Sequence, residues 1–208
     1  MSREFPPGLP VDPESVKGFL DAQEGRVLYE AALNAAKRGP CLEVGSYCGK
    51  STVYLGAACK EAGGVLFALD HHYGSEENQR GWDHHDAALY DAETGRLNTL
   101  PEFRRTLRRA QLEDTVVSIV APSNVAARGW ATPLSLVFID GGHGSEPAMD
   151  DYNNWTPHLI AGGWLAIHDV FPDPRDGGRP PYEIYRLALQ AGFVEERAVK
   201  SLRILRRK

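Results

Sequence analysis

The chain has 208 residues, 42% hydrophobic and 25% charged, with a net charge of −5. That length predicts one domain with a core large enough to need no disulfide or metal staple. The acidic balance argues against a nucleic-acid binder held by phosphate contacts, and no apolar run is long enough to span a membrane. The opening MSREFPPGLP lacks the apolar core of a secretion signal. The three cysteines (41, 48, 59) form no CxxC pair, so a reduced, cytoplasmic setting is expected.

In chain order, residues 1–12 are Pro-rich and extended. Segments 13–22 and 24–38 both carry helical spacing, so a helical segment over 13–38 is expected, closed by Gly39–Pro40. CLEV (41–44) is a short buried strand, followed by GSYCGKS and a helix from Ser51 to Gly63. VLFALD (65–70) is the second strand. A long polar segment, 71–98, precedes a helix at 101–112. VVSIVA (116–121), LSLVFID (134–140) and WLAIHDV (164–170) are strands, with a weak helical signal at 124–130 and a helix over 145–159. After the Pro/Gly loop 172–181 come the helix YEIYRLALQAG and two strands, FVEERAV and SLRILRR, separated by Lys200 alone.

Alternating strands and helices with continuous apolar strands predict an α/β fold: a Rossmann-like doubly wound sheet, mostly parallel. The last two strands are too close in sequence for a parallel crossover, so they form an antiparallel pair at the sheet edge. Residues 1–208 read as a single domain, with 71–98 as an insertion.

Glycines at the first strand–helix turn let a ligand approach the backbone, and the helix N-terminus offers free N–H groups. The spacing Gly45 to Gly49 is neither GxGxxG nor a phosphate-binding P-loop, being one residue short of the latter. Asp70, ending the second strand, suits a ribose diol through bidentate acceptance of two hydroxyl protons. Glu43 is a carboxylate in a strand expected to be buried, so it requires a donor, which an amino-bearing cofactor would supply. Ser123, placed at the end of the third strand, is positioned to meet an adenine edge.

These features together, ExGxxxGxS at 43–51, Asp70, FIDGGH at 138–143 and LIAGGWLAIHDV at 159–170, resemble the class I S-adenosylmethionine-dependent methyltransferases over about residues 25–205. The resemblance implies that Glu43, Gly45, Ser46, Tyr47, Gly49 and Ser51 surround the methionine part of S-adenosylmethionine. It implies that Asp70 and His71 lie at the ribose, and Ser123 and Asp140 also border the cofactor.

Asp140 ends the fourth strand, and His168–Asp169 end the fifth. Adjacent strand ends deliver residues to one crevice. Two carboxylates and an imidazole suit a divalent ion, Mg²⁺ by default, with Mn²⁺ better matched to a nitrogen ligand. The arrangement is similar to metal-dependent O-methyltransferases, including macrocin-type sugar enzymes, although His168 stands where an acidic residue is usual. His143, three residues after Asp140, is the expected general base for a hydroxyl acceptor.

The insertion 71–98 is long for a strand–helix connection and reads as a lid or substrate wall. His72, Tyr73, His84 and His85, with Trp82 and Tyr90, are candidate acceptor contacts. So are Tyr182, Arg175 and Arg179 near the 172–181 loop. The short chain and its DHHYGSEENQRGWDHHD insertion also resemble small actinobacterial enzymes that methylate sugars, mannosides among them.

The expected activity is methyl transfer to a hydroxyl of a small polar acceptor, a sugar or oligosaccharide. No nucleic-acid or membrane partner is expected, and a homodimer is left open as the assembly. Two other readings stand beside this one: a nucleotide-dependent oxidoreductase of related fold, and a non-catalytic cofactor-binding module.

Overall fold

Cys41 and Leu42 point to opposite faces of their strand, and the same alternation runs through its neighbours. Leu136, Phe138, Trp164 and Ala166 join Cys41 in one core layer, whereas Val137, Ile139, Leu165 and Ile167 join Leu42 in the other. A sheet apolar on both faces has to be covered on both. The computed structural model describes residues 8–75, 86–142 and 144–208 and has this architecture.

The elements are α1 (Ala22–Ala35), β1 (Cys41–Val44), α2 (Lys50–Ala62), β2 (Leu66–Asp70), β3 (Tyr90–Asp91), β4 (Arg96–Leu97), α3 (Leu100–Ala110), β5 (Val116–Val120), α4 (Ser123–Ala127), β6 (Leu134–Ile139), α5 (Ser145–Trp155), β7 (Leu159–Ile167), α6 (Pro180–Gln190), β8 (Val194–Val199) and β9 (Leu202–Arg206). The main sheet has the order β5-β2-β1-β6-β7-β9-β8. β5, β2, β1, β6 and β7 run parallel, and β9 and β8 are antiparallel. Helices α1, α2 and α3 cover one face, and α5 and α6 the other. No helix among the described residues is long and apolar enough to cross a membrane.

Several boundaries differ from the sequence reading, two elements most of all. The helix expected at 13–22 is a single 3₁₀ turn, Pro13–Ser15. Asp21 is extended because it is the N-cap of α1: its side chain accepts from the Gln23 N–H, and Glu24 closes a capping box. A helix cannot run through such a cap. The fifth parallel strand starts five residues early, at Leu159. Leu134 pairs with Leu159 but Leu136 pairs with Trp164, so the residues between form a bulge. It ends at Ile167, because Asp169 takes a left-handed backbone with φ +55°.

Successive connections from β1 build outward to β5, and the chain then returns to place β6 on the other side of β1. This reversal opens a crevice at the C-terminal ends of β1 and β6, the usual ligand position in such sheets.

Candidate active site

The crevice is assembled by backbone contacts between neighbouring strand ends. The Asp140 N–H donates to the Val44 carbonyl at 2.9 Å, and the Gly45 N–H to the Leu69 carbonyl at 2.9 Å. Gly45 has φ +93°, and a Cβ there would lie 2.2 Å from the Asp140 carbonyl oxygen. Only glycine lets the two strand ends approach so closely. Gly49 has a different reason. It is the N-cap of α2 at φ +95°, and a Cβ would press on Thr106 and Phe103 of α3 at 3.1 and 3.3 Å.

Asp70 clamps the loop between these glycines. Its Oδ2 accepts from the Ser46 and Tyr47 N–H groups at 2.9 and 2.8 Å, and its Oδ1 from the His72 N–H at 2.6 Å. A carboxylate has about four acceptor positions, so three are already in use. The bidentate contact expected from sequence is reduced to a single free position on Oδ1.

A cavity of about 1080 Å³ opens here. Gly45, Ser46, Tyr47, Ser51, Asp70, His71, Ser123, Asp140, His168 and Asp169 all line it, as do Lys17, Phe19 and Leu20 from the N-terminal segment. The sequence reading had placed that segment in a helix, and nothing in its spacing linked it to the cavity.

Several expected contacts lie elsewhere. Glu43 shares the Cys41 face of β1 and therefore points at α2 rather than into the cavity. It is fully buried, and its Oε2 accepts from the Thr52 hydroxyl at 2.6 Å. The donor to this oxygen is thus a residue of the chain. Burial pushes the Glu43 pKa up to about 7, against the opposing pull of the Thr52 hydroxyl. Its Oε1 and the Ser46 hydroxyl are buried with no hydrogen-bond partner.

His72 is buried and does not line the cavity. At φ +62° it turns into the core, with Nδ1 2.8 Å from the Thr99 hydroxyl and its ring against Phe103. Tyr73 stacks on His71 and under Arg96 outside the cavity lining. Tyr182 lies beneath the Arg179 guanidinium, and its neighbour Pro181 lines the cavity in its place. Arg175 pairs with Asp173, and Arg179 donates to the Phe171 and Pro172 carbonyls, so both hold their own loop. Tyr90 stands in the short β3–β4 pair. His143, Trp82, His84 and His85 lie outside the described residues.

Asp140, His168 and Asp169 converge as expected: each presents one ligand atom, all within 4.8 Å of one another. His168 is buried, with Nδ1 2.9 Å from Asp140 Oδ1 and 3.4 Å from Asp169 Oδ2. Its Nε2 is 3.1 Å from Oε2 of Glu24, a residue the sequence reading missed. Glu24 is legible in the sequence as a capping-box residue, but nothing there links α1 to the end of β7. Its other oxygen accepts from the Ser201 and Leu202 N–H groups and the Ser201 hydroxyl. Burial opposes charge on His168, but the carboxylates of Asp140, Asp169 and Glu24 outweigh it and hold its pKa well above the usual histidine value.

Ser123 begins α4, three residues beyond the end of β5, and accepts from Trp155 Nε1 at 2.8 Å.

The family described as "Methyltransferase domain" matches residues 42–170, which contain the glycine loop, Asp70 and the Asp140–His168–Asp169 cluster. Among solved structures, an O-methyltransferase from Bacillus cereus in complex with SAH is 16% identical, with a TM-score of 0.63 over 91% of this chain and 83% of that one. TomG from Streptomyces achromogenes, an O-methyltransferase involved in tomaymycin synthesis and solved with SAM, is 16% identical, with a TM-score of 0.59 over 91% and 82%. The O-methyltransferase NovP is 17% identical, with a TM-score of 0.64 over 89% and 78%. At these identities the likeness is one of fold. The family match spans well over half of the chain, and the protein belongs to the methyltransferase-domain family.

Proposed function

We propose that this protein moves the methyl group of S-adenosylmethionine to a hydroxyl oxygen of a small polar acceptor, a sugar or oligosaccharide, with the help of a divalent cation. The observation that carries the reading is the convergence of Asp140, His168 and Asp169 on the cavity walled by the glycine loop and Asp70. Bound S-adenosylmethionine supplies an electrophilic methyl on a sulfonium. The chain supplies the backbone amides of the loop, the remaining acceptor position of Asp70, and a crevice that aligns donor and acceptor. Carboxylates at Asp140, Glu146, Asp150 and Asp169 line the same space and can accept from the hydroxyls of a polyol.

The cluster fits a divalent cation. Asp140, Asp169 and Nδ1 of His168 would hold it, with His168 giving up its Nδ1 proton while Nε2–H stays on Glu24. A carboxylate behind a ligating histidine is the usual supporting partner. A nitrogen ligand suits Mn²⁺ better than Mg²⁺. Such an ion would orient the acceptor oxygen and favour its alkoxide form. His143, three positions after Asp140, is proposed as the base that removes the hydroxyl proton.

The test combines thermal-shift measurements with S-adenosylhomocysteine and NAD⁺ and a labelled-methyl assay on free sugars and short mannosides. Stabilisation by S-adenosylhomocysteine and label transfer to a hydroxyl are expected. Stabilisation by NAD⁺ alone would overturn the reading in favour of an oxidoreductase. Cofactor binding with activity unchanged in His143→Ala would remove the base assignment.

A further inference from the structure

The main sheet ends on β5 at one edge and on β8 at the other, and the two edges are built differently. A sheet edge offers its unpaired N–H and carbonyl groups to any second strand, and proteins guard it with charge, proline or a bulge. β8 carries Glu195, Glu196 and Arg197, all exposed, with a register shift between Glu195 and Arg197. β5 reads VVSIV, with no charge, no proline and an unbroken register against β2. Among the described residues it pairs with β2 alone. Val117 and Val120, on its opposite faces, are 46% and 48% exposed.

The ladder fixes which groups of β5 face outward. The Leu66 N–H donates to the Thr115 carbonyl at 3.1 Å, and the Ala121 N–H to the Asp70 carbonyl at 3.2 Å. Leu66 lies opposite Val116, and Asp70 opposite Val120. Alternate residues of a parallel strand bond to the same neighbour. Val117 and Ile119 are therefore spent on β2, whereas Val116, Ser118 and Val120 direct their backbone groups away from it. That outward set is symmetric about Ser118. We propose that β5 pairs antiparallel with β5 of a second copy of this chain, across a two-fold axis at Ser118, so that one sheet runs through a dimer. The two Ser118 residues then exchange N–H and carbonyl, and each Val120 N–H donates to the second copy's Val116 carbonyl. The Val116 N–H needs no such partner, because it already donates to the Leu112 carbonyl at 2.9 Å. Val117 falls opposite Ile119 of the other copy, and Val120 opposite Val116, so both exposed valines are covered by cross-strand pairs. Charge agrees with the antiparallel direction. Glu113 and Asp114 precede β5 and Arg128 follows α4, all three exposed, so each acidic strand start meets the end of the other strand that leads to a guanidinium. Such a contact uses the same patch on both copies and closes on itself.

Analytical ultracentrifugation from about 1 to 100 μM, a span that separates weak from moderate affinities, tests the assembly, and amide hydrogen exchange locates it. The wild-type protein is expected to sediment as a dimer, with the Ser118 and Val120 amides protected although they point out of the sheet. Ser118→Lys adds its side chain at an exposed position of the single chain, but in the dimer it sets like charges directly opposite each other. This variant is expected to sediment as a monomer with a normal thermal transition, its Val120 amide exchanging roughly tenfold faster or more. A wild-type protein that stays monomeric at the top of the range overturns the proposal whatever the variant does. So does a dimer whose Ser118 and Val120 amides exchange freely, a result that needs no variant to fold. A dimer that survives Ser118→Lys overturns it as well.

Discussion

Glu24 and His168 are 144 positions apart in the chain, yet their side chains meet at 3.1 Å with only 3% and 5% of each residue exposed. Across the ring, Nδ1 of His168 is 2.9 Å from Asp140. One imidazole thus joins the first helix of the fold to the mouth of the cavity, held by a carboxylate on either side. Burial pushes the Glu24 pKa up, but His168 and the Ser201 contacts outweigh it and hold the carboxyl below its usual value.

Removing one partner of such a pair leaves the other buried and uncompensated. Glu24→Ala is therefore expected to destabilise the protein by about 3–5 kcal/mol. Urea denaturation at neutral pH measures it. A loss under about 1 kcal/mol, the size of an exposed pair, would show that the contact contributes little.

The same cluster predicts metal dependence. Treatment with EDTA is expected to abolish methyl transfer, and Mn²⁺ to restore it. Mn²⁺ binding followed by electron paramagnetic resonance is expected to disappear in Asp169→Asn. In Glu24→Gln it should weaken by about 10–100-fold, as for lost supporting carboxylates elsewhere. Full turnover after exhaustive chelation would rule the ion out.

Gly45→Ala tests the contact between the ends of β1 and β6. The added methyl meets the Asp140 carbonyl, a backbone atom that cannot rotate away. Left-handed strain of about 1–2 kcal/mol adds to overpacking of about 1–3 kcal/mol. A loss of about 2–5 kcal/mol in denaturant unfolding is expected from those terms together, with weakened S-adenosylhomocysteine binding. Wild-type stability would mean that the strand ends separate easily.

Glu43 predicts a dependence on pH. Burial raises its carboxyl from 4.5 in the unfolded chain to about 7. The folded state then binds the proton more tightly, so its stability falls as pH rises from about 4.5 through 7. The full effect is on the order of 3 kcal/mol. Relative to Glu43→Gln, the wild-type protein should lose stability between pH 5 and pH 8. A difference that stays constant across that range would show that Glu43 does not titrate there.

The sequence by itself determined the layered α/β architecture, the antiparallel final pair and the strand ends carrying Asp70, Asp140, His168 and Asp169. These follow from local signals: continuous apolar runs mark doubly covered strands, and the single residue between the last two forbids a parallel crossover. Only the tertiary structure decided where the side chains point. Glu43 falls on the α2 face of β1 because side chains alternate along a strand. His72 turns into the core through a left-handed backbone. The partners of His168 and Ser123, Glu24 on α1 and Trp155 on α5, come from distant helices. Periodicity encodes which face of a helix is buried, but not which polar group waits on the other side of the contact.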